Sequence, residues 1–351
     1  MAPTSGPLPF LKPPRLRRGQ TVAAISLSSG LAALFPHRYQ AGKRQFEGAF
    51  GVRVVETPNA LRDDAWLRRN PQARADDLHW ALTNPEIAGI VSTIGGDDSV
   101  RLLPHLNEDL IRAHPKVLMG FSDTTITLTA FLNAGVVTFH GPAFMTDLAE
   151  NSGILPQVDQ SVRRTLFDGA PAPWQPSPRW TEEFLDWSEP ANQERERRFI
   201  PNPGWRWLQG EEAVEGHVMG GNIEVLEFMK GTRWWPREEL WRGAVLLFET
   251  SEEVPSPLAV ERYLRNYGHQ GVLERASALL FARPMGYDAA GNEELERRLV
   301  GVLAEFGLTD TPVVTGLDVG HTSPHVVVPL GCRVRVDPGA MSIESLEAAV
   351  S

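Results

Sequence analysis

Over its first 140 residues the chain alternates short apolar runs with stretches of helical periodicity, and that pattern leaves few folds open. Thr21 to Leu27 reads as a buried strand that ends in the loop Ser28-Ser29-Gly30. His37 to Phe50 reads as a helix, Val52 to Glu56 as a second strand and Arg74 to Leu82 as a second helix. Ile87 to Thr93 is a third strand, closed by Gly95-Gly96. Val117 to Phe121 is a fourth, followed by a helix over Thr124 to Leu132 and a fifth strand over Val136 to Phe139. Strands that alternate with helices need crossover connections, and these place helices on both faces of a mostly parallel sheet. The expected fold class is therefore α/β, with reacting groups at the carboxyl ends of the strands.

From Asp168 to Gly216 the texture changes to Pro, Trp and charge without clean periodicity. Long segments of that kind in compact proteins are lids, binding loops or disordered, and the Trp content argues against disorder. Beyond Gly216 strands return at Ala244 to Phe248, Ser277 to Ala282, Val313 to Thr315 and Arg333 to Val336. Helices read at Leu258 to Tyr267 and Glu293 to Glu305. The expected domains are 1–165, an N-terminal α/β domain; 166–215, a linker and Trp/Pro-rich loop; and 216–351, a second, smaller α/β domain with mixed strands.

A formal net charge of -10 with a pI near 5.5 argues against nucleic acid as a partner, which calls for a basic face. A single cysteine, Cys332, excludes an intramolecular disulfide and a Cys-rich metal site. It lies in the strand-like run Gly331 to Val336 and reads as a packed thiol. Met1 to Gly19 lacks the apolar core of a signal peptide, and no window reaches the roughly 18 apolar residues of a membrane span. A cytoplasmic protein without a membrane partner is expected.

The segment Val117-Leu118-Met119-Gly120-Phe121-Ser122-Asp123-Thr124-Thr125 carries the sharpest chemical signal. An apolar strand runs through Gly-x-Ser straight into a helix, the setting of a nucleophile elbow. Thr124 stands where the full motif has its last Gly, and Ser122 or Asp123 capping the helix explains the same residues. Gly95-Gly96 permits close backbone approach after a neighbouring strand, as an oxyanion hole or as an ordinary tight turn. A serine nucleophile needs a base. His321 follows a strand and is bracketed by Gly320 and Pro324; His140, before Gly141-Pro142, is a second candidate with a structural or substrate-positioning part. Pro324 speaks against a metal-binding helix that pairs His321 with His325. Glu249, at the end of the apolar run 244–248, is a candidate to orient an imidazole. Glu252 and Glu253 read as solvated.

Together these segments resemble the LD-carboxypeptidase family of serine peptidases, including its microcin-immunity branch. The resemblance rests on Gly120 to Asp123, Phe248-Glu249 and Gly320-His321-x-x-Pro324, with Gly95-Gly96, His140-Gly141-Pro142 and Gly220-Gly221-Asn222 as further landmarks. It implies a Ser122-Glu249-His321 triad between two domains, oxyanion donation from Gly96 and Asp123, no metal or cofactor, and a homodimer. For substrate contacts it implies Gly95, His140, Asn222 and the loop tryptophans, Trp180 first and Trp187 behind it. The substrate would be a small peptide or a peptidyl-nucleotide; the alternatives are a muropeptide or a non-catalytic two-lobed binding role. One departure stands out. The immunity branch has a basic residue shortly after the triad acid, whereas this chain reads Thr250-Ser251-Glu252-Glu253.

Overall fold

The computed structural model describes residues 10–351. The first domain contributes five parallel strands: β1 (Thr21–Ile25), β2 (Arg53–Glu56), β3 (Ile87–Ser92), β4 (Val117–Gly120) and β5 (Thr138–His140). The middle segment supplies β6 (Arg179–Trp180), β7 (Ile200–Pro201) and β8 (Arg206–Gln209). The remainder supplies β9 (Val214–Asn222), β10 (Val245–Glu249), β11 (Ala278–Ala282), β12 (Val313–Leu317), β13 (Val328–Leu330), β14 (Arg333–Asp337) and β15 (Ser342–Ser345). They form two large sheets, of order β13-β5-β4-β3-β1-β2 and β15-β14-β9-β10-β11-β12-β8.

Side-chain alternation along β1, β3 and β4 divides the first core in two. Val22, Ala24, Val91, Val117 and Met119 meet Phe46, Phe50 and Phe144 on one face. Ala23, Ile25, Ile90 and Leu118 join Leu78, Leu82 and Leu102 on the other. That second cluster continues through Ile126 and Phe131 into Val218, Leu246, Phe248 and Leu280 of the second sheet. The helix Thr125–Asn133 is buried at all nine positions because both sheets pack on it. Its contact with β9 is close: a Cβ on Gly221 would fall 2.7 Å from Thr125 Cγ2, and the Asn222 N–H donates to Thr125 Oγ1 at 3.1 Å.

The expected domain boundaries need correction. β8, from the supposed linker, forms the antiparallel edge of the second sheet beside β12. β13, from the supposed second domain, pairs antiparallel with β5 in the first sheet, and the second sheet has seven strands against six. Short antiparallel edge strands such as these carry no crossover signature in sequence, so the parallel cores were legible and their edges were not. The Trp/Pro segment is pinned rather than loose. Thr181 and Ser323 exchange backbone hydrogen bonds at 2.8 and 2.9 Å, and the Ser177 N–H donates to Asp318 Oδ2 at 2.8 Å. No helix among the described residues is long and apolar enough to cross a membrane.

Candidate active site

β4 ends at Gly120 and the chain turns at once into the helical segment that begins at Ser122. Ser122 has φ +57°, a left-handed conformation that β-carbon residues rarely adopt, and its side chain stands 9% exposed at the mouth of a cavity. Asp123 is buried, and its carboxylate ties the elbow to the Gly95-Gly96 loop. Oδ2 accepts from Asp98 N at 3.0 Å and Ser99 N at 2.8 Å, while Ser99 Oγ donates to the Asp123 carbonyl at 2.6 Å. Burial pushes the Asp123 pKa up; the hydrogen bonds to residues 98 and 99 oppose this. Gly96 has φ +144°, and a Cβ there would lie 2.4 Å from Ser28 Oγ. Arg74, wholly buried, braces the loop from below through Asp98 at 2.6 Å and the Leu27 carbonyl at 2.8 Å.

Glu249 ends β10 with 1% exposure. Gly320, at φ +87°, passes so close that a Cβ would sit 2.8 Å from Glu249 Oε2, which delivers His321 directly onto the carboxylate. His321 Nδ1 lies 2.7 Å from Glu249 Oε2, and the Phe121 ring packs 5.0 Å from the imidazole, centroid to centroid. Burial pushes the Glu249 pKa up, but the His321 charge and hydrogen bond and the nearby His140 bring it down to about 2. Burial likewise pushes His321 down, and Glu249 followed by Glu252 lifts it to about 10. Glu252, read as solvated from sequence, in fact brings Oε2 to 3.0 Å from His321 Nε2. It sits one turn of loop beyond Glu249, a position that only the folded loop reveals. No hydrogen bond joins Ser122 to His321 among the described residues; Nε2 faces Glu252 instead.

Ser122, His321, Gly95 and Gly96 line one cavity of about 540 Å³ with Phe35, Phe184 and Trp187. Trp187 stands in the wall, edge-on to Phe35 and beneath Arg38. Trp180 does not line this cavity; Arg283 stacks on it at 4.6 Å, and Arg283 is held in turn by Asp318 at 2.7 Å. Of the two tryptophans expected at the substrate, Trp187 is the one that lines the cavity. His140 and Asn222, expected to touch substrate, are fully buried. His140 lies behind Glu249, its Nε2 3.8 Å from Oε1, too far for a hydrogen bond. Asn222 caps the following helix through Val225 N at 3.0 Å. Arg38 and Arg197 also border the cavity, tied to Asn151 and Glu150; nothing in their sequence surroundings announced them. A second cavity of about 440 Å³, lined by Trp174, Trp205 and Arg164, contains none of the candidate residues.

The chain that carries this left-handed serine and carboxylate-bound histidine has relatives among known proteins. Residues 22–141 match the LD-carboxypeptidase N-terminal domain, and residues 215–336 match its C-terminal domain. The chain belongs to the LD-carboxypeptidase family of serine peptidases. The microcin C7 self-immunity protein MccF of Escherichia coli is 30% identical over 98% of this chain and 97% of its own length. A probable murein peptide carboxypeptidase of Bacillus subtilis is 27% identical over 97% of this chain and 95% of its own. The structure of MccF in complex with aspartyl sulfamoyl adenosine superposes with a TM-score of 0.85 at 28% identity, covering 97% of this chain and all of that one. This LD-carboxypeptidase family member is thus a serine peptidase, with the family's N- and C-terminal domains matched at residues 22–141 and 215–336.

Proposed function

We propose that this peptidase hydrolyses an amide in an aminoacyl- or peptidyl-nucleotide through a Ser122-His321-Glu249 triad. The observation that carries the reading is the 2.7 Å contact between His321 Nδ1 and buried Glu249, next to a serine in left-handed geometry. In the neutral ring that contact keeps hydrogen on Nδ1, so that Nε2 becomes the base once it is clear of Glu252. Once Nε2 faces Ser122 Oγ it takes the hydroxyl proton as oxygen attacks the carbonyl carbon. The backbone N–H groups of Gly96 and Asp123 stabilise the tetrahedral oxyanion. Imidazolium returns the proton to the leaving nitrogen, the C–N bond breaks, and an activated water then releases the acyl group from Ser122.

The cavity wall suits the nucleotide half. Trp187 offers an indole face flanked by Phe35 and Phe184. Stacking on such a ring contributes about 1–3 kcal/mol per base. The MccF complex with aspartyl sulfamoyl adenosine supports this substrate class. The murein relative and the acidic loop favour the second reading, a muropeptide cut between an L- and a D-centre. Incubating the protein with aminoacyl sulfamoyl adenosines and with a muropeptide tetrapeptide, with products read by mass spectrometry, separates them. Release of free amino acid and sulfamoyl adenosine is expected. Cleavage of the tetrapeptide alone would replace the first reading by the second.

Gly95 supplies a further check. It lies outside left-handed space, so it is glycine for room rather than for conformation, and an added methyl would fall 2.9 Å from Ser122 Oγ and 3.3 Å from Asp123 N. Gly95→Ala is expected to lower kcat/KM by about 10²–10³-fold, the scale of a damaged oxyanion hole, with some loss of melting temperature because the added Cβ would meet Ser122 Cβ at 2.8 Å. Unchanged kcat/KM would remove this loop from the mechanism.

A further inference from the structure

Glu252 occupies the place where the proton of Ser122 has to go. Its carboxylate is 3.0 Å from His321 Nε2, the nitrogen left over once Nδ1 binds Glu249. The side chain is 64% exposed and forms no other ion pair among the described residues, so it is free to swing. The other carboxylates that line the cavity are committed. Asp147 accepts from His325 N at 2.9 Å, Glu182 from Gly286 N at 2.7 Å, and Glu183 from Arg198 N. Glu224, nearby, takes the Ser251 amide and hydroxyl at 2.8 and 2.6 Å. Behind the ring pack His140 and His325.

With a carboxylate on each nitrogen, the ring is held as imidazolium, and an imidazolium cannot accept a proton. Catalysis therefore requires Glu252 to leave. A positive charge on the substrate would draw it off and, in doing so, restore the ring as a base. A negative charge would meet the acidic run Glu252-Glu253. The acyl group in the MccF complex is aspartyl, an acidic one. We propose that Glu252 is the specificity-determining residue of this site, that it selects acyl groups bearing a basic side chain, and that docking of that cation releases His321. The inference rests on the Ser122-His321 mechanism proposed above.

The test is kcat/KM for lysyl-, leucyl- and glutamyl-sulfamoyl adenosine with wild type, Glu252→Gln and Glu252→Lys, and with Ser122→Ala as control. Wild type is expected to prefer lysyl over glutamyl by about 100-fold, Glu252→Gln to lose most of that preference, and Glu252→Lys to invert it, the scale of close charge pairs across an interface. Glu252→Gln should also move the acid limb of kcat/KM to lower pH, because one of the two carboxylates that hold the proton on the ring is gone; a merely structural role would not shift that limb. If the substrate order stays the same in both variants while Ser122→Ala is inactive, the specificity inference fails and the triad stands. If wild type cleaves none of the three, the nucleotide reading falls and this inference with it; if Ser122→Ala cleaves them as wild type does, the triad reading falls and this inference with it.

Discussion

Ser122→Ala is expected to lower kcat by about 10⁵–10⁶-fold, the scale on which serine nucleophiles are lost, with the fold intact. The hydroxyl is the only part of the side chain that differs, and the left-handed φ of +57° is no harder for alanine than for serine, since both carry a Cβ. Melting temperature should therefore stay within a few degrees. Ser122→Gly sharpens the point. It is equally inactive, yet glycine adopts this conformation freely, so it should be more stable than wild type by about 1 kcal/mol. An inactive but stabilised variant is what a strained functional residue predicts. Turnover of Ser122→Ala near the wild-type rate would remove the serine mechanism. A Ser122→Gly variant less stable than wild type would mean that the hydroxyl, not the chemistry, accounts for the geometry at 122.

The parts of this site that sequence exposed are those fixed by local rules. β4 runs into a helix through Gly120-Phe121-Ser122, and a short apolar strand followed at once by a helix start leaves the serine at the turn. Glu249 closes an apolar strand, and an acid at the end of a buried run has to find a partner. The parts that stayed hidden depend on long-range placement. His140 carries a strand-end signature like that of His321, but antiparallel pairing with β13 encloses it behind Glu249, away from the cavity. Trp180 and Trp187 share one loop and one composition. What separates them is that Thr181 zips to Ser323 and turns Trp180 toward Arg283. Glu252 looked solvated because no local pattern tells where a loop carboxylate points; its exposure is real, and so is its contact with His321.

Glu249→Gln is expected to cost about 10⁴-fold in kcat, for a reason of hydrogen placement rather than shape. The carboxylate accepts only, so it forces hydrogen onto His321 Nδ1 and leaves Nε2 free. A carboxamide of the same size can donate to Nδ1, which moves the ring hydrogen to Nε2, where it cannot receive the serine proton. The same substitution should alter the pH dependence of stability. Glu249 is depressed to about 2, so its contribution is present above the ordinary carboxylate pKa and is lost as pH falls through about 2. His321 is raised to about 10, so its contribution is complete below its ordinary value and is lost as pH rises through about 10. The pair is at full strength in the mildly acidic range between those ordinary values, roughly pH 4.5–6.5. Wild type should lose stability on either side of that range, and Glu249→Gln should show a flatter profile by denaturant titration. Glu249→Ala removes a buried partner and leaves space behind it, so it should lose about 3–5 kcal/mol in addition to activity. If Glu249→Gln keeps both the rate and the pH profile of wild type, the carboxylate does not orient His321, and the base must be sought elsewhere in the cavity.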